Sequence, residues 1–257
     1  MADKNKIRLV RVHSSLGSDV LLFHSLTGSD ELGRLYRYSL QVLSKKPDIA
    51  FKDVLGQDLT LEMVLEDGST RYLHGFVAEF SQDDGVGNYA AYSAVLVPWL
   101  WFLTRTADCR IFQKLSVPDI ITQVFQDNGF TDYEVSLSGN YKPWEFCVQY
   151  RETAFNFVSR LLEQEGIYYY FKHQDGKHTL VLTDSFSGHD RIPGYSEIPL
   201  RGPAAQLVIH EDCITGWYPR QVIQPGAYVL TDFNFLKPKT GEPPHGSRRP
   251  FRRANPF

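Results

Sequence analysis

No stretch of this chain is apolar for long enough to cross a bilayer as a helix. The longest uninterrupted run, Ala94 to Leu103, contains Pro98 and has about half of the ~20 residues that a spanning helix needs. An apolar amino-terminal core is also missing. Met1-Ala2-Asp3-Lys4-Asn5-Lys6 turns straight into the strand-like Ile7-Arg8-Leu9-Val10-Arg11-Val12, so the expectation is a protein made in the cytoplasm without a signal peptide. Cysteine is scarce: the 3 present, Cys109, Cys147 and Cys213, are far apart and never form C-x-x-C. That leaves no zinc knuckle and no thioredoxin-type motif, and the reading is three buried thiols in a reducing compartment. Excess positive charge is lacking too. A formal charge of −3 and an isoelectric point near 6.2 argue against a nucleic-acid binder that relies on bulk charge.

What is abundant is aromatic. Against 2 Met stand 17 Phe, 14 Tyr and 4 Trp, an enrichment that favours strands. The 257 residues amount to about 1.7 domains of average size, enough to bury a core without disulfides. The first hundred residues read as β-structure. Tyr36, Tyr38, Leu40 and Val42 alternate with Arg37, Ser39 and Gln41, and Leu59, Leu61, Met63 and Leu65 with Thr60, Glu62 and Glu66. Asp67-Gly68 supplies a tight turn into a partner strand from about Thr70 to Phe80, and Asp84-Gly85 marks the next turn. Tyr89 to Val97, apolar on both faces, predicts a central strand. A short helix interrupts the series, with Asp48 as cap, Phe51 and Leu55 paired, and Gly56 as stop.

The middle third changes character. Ser116-Val117-Pro118-Asp119 is a helix start, followed by the apolar face Ile120, Ile121, Val124 and Phe125 and the stop Asn128-Gly129. A second helix is expected from Thr153 to Gln164, burying Phe155, Val158, Leu161 and Leu162 and ending at Gly166. Ile167-Tyr168-Tyr169-Tyr170-Phe171, the turn Asp175-Gly176 and His178 to Leu182 then form a hairpin stapled onto that helix. Tyr168 and Tyr170 cannot share a face with Tyr169. One set is expected to cover the helix and the other to lie at a domain or subunit contact. Strand-like sequence returns at Gln206 to His210 and Ala227 to Phe235, and the last twenty residues are Pro- and Arg-rich without periodicity.

Motifs that carry chemistry are weak. Gly85-Val86-Gly87-Asn88-Tyr89-Ala90 matches a dinucleotide fingerprint, but a strand follows where a helix is required, so it reads as a hairpin turn. His173 and His178 face each other across their hairpin without further ligands and read as exposed. His210-Glu211-Asp212-Cys213 lacks the second histidine of a zincin. No nucleophile elbow occurs, and Glu163 and Glu165 point to different helix faces. Arg248, Arg249, Arg252 and Arg253 read as a solvated tail. No catalytic residue, cofactor site, metal site or small-molecule substrate is assigned.

One long stretch is familiar. Gln149-Tyr150-Arg151-Glu152-Thr153, then Phe157-Val158-Ser159-Arg160-Leu161-Leu162-Glu163-Gln164-Glu165-Gly166-Ile167-Tyr168-Tyr169-Tyr170-Phe171, and onward to Thr183-Asp184, resembles the central signature of the VgrG spike proteins of type VI secretion. Leu55-Gly56-Gln57, Arg71 to Val77 and Pro98 to Leu103 resemble further landmarks in the family order, and the likeness reaches about Phe235. Ala154 departs from it, standing where a polar or acidic residue is expected.

The resemblance implies a mainly β fold with an α+β insertion, of the contractile-phage baseplate hub type. The expected division is a first β-barrel over 1–107, an α+β domain over 108–205 and the start of a second, incomplete β-barrel over 206–257. It further implies a homotrimer docked on an Hcp-type hexameric tube and baseplate proteins, with effectors or adaptors as cargo and no nucleic acid. Such a protein is not an enzyme, and the type VI machine secretes or injects it. The alternatives are the baseplate hub of a contractile phage tail or related injection machine and, in another class, a cell-wall or lipid hydrolase. Family members continue into an OB-fold and a β-helical needle, so a chain stopping at Phe257 reads either as a hub fragment or as a hub-only member.

Overall fold

Alternation builds the first sheet. In β3 (Arg37–Ser44), Tyr38, Leu40 and Val42 enter the core while Arg37, Ser39 and Gln41 face solvent. β3 pairs antiparallel with β2 (Leu22–Ser29) on one side and β6 (Tyr89–Val97) on the other. Beyond β6 lie β5 (Thr70–Val86), β4 (Asp58–Val64) and β1 (Val10–Ser14), giving the six-stranded order β1-β4-β5-β6-β3-β2. Gly28 in β2 sits opposite Tyr38, and a Cβ there would overlap the tyrosine ring, so the close pairing requires glycine. β6 is central, as its two apolar faces predict.

The computed structural model describes residues 9–65, 67–190, 195, 197–201 and 213–223, and the backbone of 227–230 and 245–248. The chain forms two compact units, 1–190 and 191–257.

Within the first unit, β7 (Ala107–Phe112) and β9 (Cys147–Thr153) form a two-stranded ribbon. Helix α1 (Val117–Asp127) begins with a reciprocal cap between Ser116 and Asp119, and its Ile120, Ile121, Val124 and Phe125 are wholly buried. Helix α2 (Ala154–Glu165) starts at Thr153, whose hydroxyl accepts from the Asn156 amide, and ends at Gly166 with φ +71°. The Ile167 amide returns to the Leu162 carbonyl, the closing bond of a left-handed helix end that favours glycine. The hairpin β10 (Tyr168–Gln174) and β11 (Lys177–Thr183) follows, and β8 (Tyr133–Ser136) joins β11 in parallel. The sheet, both helices and the hairpin contribute to one hydrophobic core. This is the mainly β architecture with an α+β part that the sequence implies.

In the second unit, Leu200 and Ile214 form a parallel bridge, and β12 (Ala227–Leu230) pairs with β13 (His245–Arg248). The expectation of an open second barrel over 206–257 falls mostly outside the described residues, as do the side chains of the terminal arginines.

Several local expectations are corrected. The helix after Asp48 is a single 3₁₀ turn, Phe51–Asp53, preceded by Ala50 without a side-chain cap, and Phe51 and Leu55 are exposed. β5 does not stop at Phe80. It runs through Asp84-Gly85 to Val86, an irregularity in its pairing with β6 absorbs the extra residues, and the turn falls at Gly87-Asn88. Phe157, rather than Phe155, is fully buried on α2. Of the three thiols only Cys147 is buried. Cys109 lies on the open ribbon and Cys213 is half-buried.

Candidate functional site

Many of the residues that make this chain familiar serve packing and local bonding. Gln149 is buried, and its side-chain amide donates to the Glu152 carbonyl at 3.1 Å, closing a local loop in β9. Arg151 inside that loop takes φ +51°, a left-handed conformation unusual for a residue with a Cβ. The loop aims the Glu152 carboxylate at Arg160 on α2, whose Nε and Nη2 donate at 3.0 and 2.8 Å, while Nη2 also reaches the Val148 carbonyl at 2.7 Å. One arginine therefore ties the ribbon to the helix. The unexpected Ala154 is buried at the first helical position, and its amide donates to Thr106.

The tyrosine run divides as its period demands. Tyr169 and Phe171 are buried, and Phe171 meets Tyr36, which leads into β3 of the first sheet, edge-on at 5.0 Å. The Gly33 amide donates to the Tyr169 carbonyl at 2.8 Å. Tyr168 and Tyr170 face the other way and are roofed by the chain's own Ser185–His189. Tyr170 donates to the Gly188 carbonyl at 2.7 Å, and both rings stack on His189. Covering the outward pair therefore requires no subunit contact. Asp184, the end of the familiar stretch, accepts from the Ser138 amide and hydroxyl, the Gly139 amide and the Tyr141 hydroxyl. These donors, the Ser138 amide foremost, hold its carboxyl well below the usual carboxylate range.

Among the described residues the chemistry-bearing motifs do not converge on one site with each other. Gly85 to Ala90 is the β5–β6 hairpin, with no helix N-terminus for a pyrophosphate. His173 and His178 are in register across their hairpin, as expected, but they are not exposed. His178 is 2% exposed and bonded to His74 of β5, because the first sheet packs over that end of the hairpin. A cleft of about 410 Å³ opens beside them between Asp58, His74, Trp99, Asp132 and Lys177. Among the described residues no group of three His, Cys, Asp or Glu side chains is placed to hold a metal ion. His210, Glu211 and Asp212 lie outside the described residues.

What remains open is surface. On the ribbon, Phe112, Cys147 and Gln149 turn inward, with Phe112 stacked on Phe157 of α2 at 5.5 Å. The other face shows Ile111 at 66% exposure and Tyr150 at 64%, with Val148 between them and Phe146 beyond.

A six-stranded antiparallel sheet joined to a helix–hairpin unit, with apolar surface left on a two-stranded ribbon, is the mainly β fold of tail-hub proteins. The chain belongs to the phage tail baseplate hub (GPD) family, whose model matches residues 29–255. It is 48% identical over 238 residues to the type VI secretion system spike protein VgrG1b of Pseudomonas aeruginosa, covering 93% of this chain and 32% of that protein. Likeness extends to the actin cross-linking toxin VgrG1 of Vibrio cholerae, 32% identical over 217 residues, which are 83% of this chain and 20% of the toxin. Among solved structures, the E. coli c3393 protein, described as a component of the type VI secretion system with structural similarity to T4 bacteriophage tail proteins gp27 and gp5, superposes with a TM-score of 0.64 at 27% identity. That match covers 70% of this chain and 51% of that one. The chain spans about a third of the length of the three Pseudomonas spike proteins it matches at 47–48% identity.

Proposed function

We propose that this chain is the hub of a type VI secretion puncturing spike, a structural and non-enzymatic part that joins an Hcp-type tube and the baseplate to the needle and helps deliver effectors. The observation that carries this reading is the 48% identity to a spike protein along 93% of the chain. The use of Gln149, Glu152, Arg160, Tyr169 and Phe171 in packing and ion pairing supports the non-enzymatic part. The working unit is a homotrimer, because a threefold hub meets a hexameric ring when each subunit offers two similar surfaces. The protein is made in the cytoplasm and leaves the cell through the machine it caps.

The test is genetic and biophysical together. Deleting residues 149–184 from the encoding gene should abolish release of the tube protein into the medium, and the intact gene should restore it. Unchanged release would overturn the reading. Light scattering of the chain over a dilution series should show a concentration-dependent species of three-copy mass. A stable dimer or a concentration-independent monomer would refute the trimer. The phage-tail reading rests on the family description, and capsid genes rather than an ATPase and sheath gene beside this one would favour it.

A further inference from the structure

Three histidines from two distant parts of the chain meet in the core of the first unit. His74 lies in β5, and His173 and His178 oppose each other across the β10–β11 hairpin. His74 and His178 are 3% and 2% exposed. Their Nδ1 atoms are 2.8 Å apart, the Trp99 amide donates to His178 Nε2 at 2.9 Å, and the His74 amide donates to His173 Nδ1 at 3.1 Å.

A backbone amide can only donate, and this fixes every tautomer. His178 Nε2 accepts from Trp99, so its proton is on Nδ1 and is given to His74 Nδ1. His74 therefore carries its own proton on Nε2. His173 Nδ1 accepts from the His74 amide, so its proton is also on Nε2. The reverse assignment would set a His178 Nε2 proton against the Trp99 N–H. The Nε2 atoms of His74 and His173 are the ones left without a hydrogen-bond partner, consistent with both being the donor ends of this chain.

We propose that these three histidines form a latch that holds only in its neutral form, so that mild acid releases the helix–hairpin part from the first sheet before the sheet itself unfolds. Each ring has one free lone pair in its neutral form, and each lone pair is already accepting one of the three bonds. A proton added to His178 Nε2, His74 Nδ1 or His173 Nδ1 sets donor against donor and breaks that bond. The broken bonds are those joining β5 and the segment after β6 to the hairpin.

The charged and titratable neighbours do not change the outcome. Asp58 of β4 is 3.7 Å from His74 Nε2, and Asp132 and Asp175 also draw charge toward His74. Asp58 is half-exposed and too distant for a hydrogen bond, and Lys177 of β11 pairs with Asp132 at 2.9 Å. Burial prevails, and His74 is held below the usual histidine value. Burial, with His74 and Arg71 of β5 adding repulsion, pushes His173 down to about 4, and burial beside the other two rings pushes His178 to about 2. The neutral phenols Tyr36, just before β3, and Tyr38 of β3 lie against His173, with Asp30 beyond them hydrogen-bonded to Tyr38. An unfolded histidine takes its proton near pH 6.5. Below that the open state binds more protons than the closed one, so stability falls as pH falls and is unaffected above about pH 7. Each histidine multiplies the opening constant by up to about tenfold per pH unit, and three by up to about a thousandfold.

The experiment is amide hydrogen exchange on the 257-residue chain at pH 7.5 and 5.0, a window above most carboxylate titration. Protection factors of the Trp99 and His74 amides should fall at least tenfold further than those of the β3–β6 ladder. Equal losses, or retained protection at pH 5.0, would overturn the proposal. The variants His173→Asn and His178→Gln keep an acceptor for the amide and remove one titrating ring each. Either should flatten the pH dependence of the opening constant by close to tenfold per pH unit, and an unchanged slope counts against the latch. Should neither variant fold, the exchange measurement on the unsubstituted chain decides alone.

Discussion

Helix α2 carries a two-stranded ladder at each end, and the two ladders have opposite fates. The β7–β9 ribbon feeds its amino terminus and the β10–β11 hairpin leaves its carboxyl terminus. Both are antiparallel, of similar length and rich in aromatic or branched residues. The hairpin is enclosed: the first sheet covers Phe171, Ser185–His189 roofs Tyr168 and Tyr170, and β8 extends the ladder. The ribbon is covered on one face only, by α2 through Phe112 and Phe157. A lone two-stranded ladder is marginal in water, so each survives through its neighbours. Side-chain chemistry alone does not separate a strand that completes a core from one that offers a surface. The elements packed against it do.

Removing the hairpin's inward contact tests the enclosed side. Phe171→Ala should destabilise the chain by about 3–5 kcal/mol, read by urea unfolding, because the ring is buried among Tyr36, Tyr169 and His178 and leaves a cavity. A loss under about 1 kcal/mol would mean that the hairpin does not depend on the sheet. A smaller effect is expected at the hairpin's end. Asp184→Asn should cost about 1–2 kcal/mol at pH 7, since the donors of Ser138, Gly139 and Tyr141 lose a charged acceptor. Because the folded carboxyl lies below its ordinary value, its stabilisation is present above about pH 4 and is lost as pH falls below that. The variant should lack this acid limb, and an identical limb in both proteins would assign the loss to other carboxylates.

At Arg151 the ribbon carries strain that the hairpin does not. Arg151→Gly removes a Cβ from a left-handed position at the expense of a looser unfolded chain, and a gain of about 0.5 kcal/mol is expected. A loss larger than about 0.5 kcal/mol would show that the arginine side chain contributes more than the backbone strain costs.

The sequence announced the enclosed ladder far better than the open one. Tyr168 to Phe171 is a continuous aromatic run and Leu180 to Leu182 an apolar one, bounded by Gly166 and Asp175-Gly176, a pattern readable locally. The ribbon was recognisable only through the family-like Gln149-Tyr150-Arg151-Glu152-Thr153, because its strands mix Asp108, Arg110 and Glu152 with Ile111 and Val148 and follow no clean alternation. β8 pairs in parallel with a strand more than forty residues away, and no turn signals it. Phe155 and Phe157 each fit an apolar stripe on α2, and Phe157, on which Phe112 of the ribbon stacks, is the fully buried one. The histidine cluster joins position 74 to positions 173 and 178, a separation at which spacing carries no information.

The smallest effect on the chain by itself is expected on the ribbon's open face. Ile111→Thr keeps the β-branch and the ladder while removing apolar surface that solvent already reaches at 66% exposure, with Val148 opposite it in register. Burial that does not exist cannot be lost, so urea unfolding of this variant should match the parent within about 0.5 kcal/mol. The same substitution should matter only if another surface covers the face. In a dilution series by light scattering, a variant with unchanged stability but less multimer at equal concentration would place the ribbon in the contact between copies. Unchanged mass would assign that contact to another face. A stability loss above about 1.5 kcal/mol would contradict the comparison itself, because it would mean that the chain's own residues already enclose the ribbon as they enclose the hairpin.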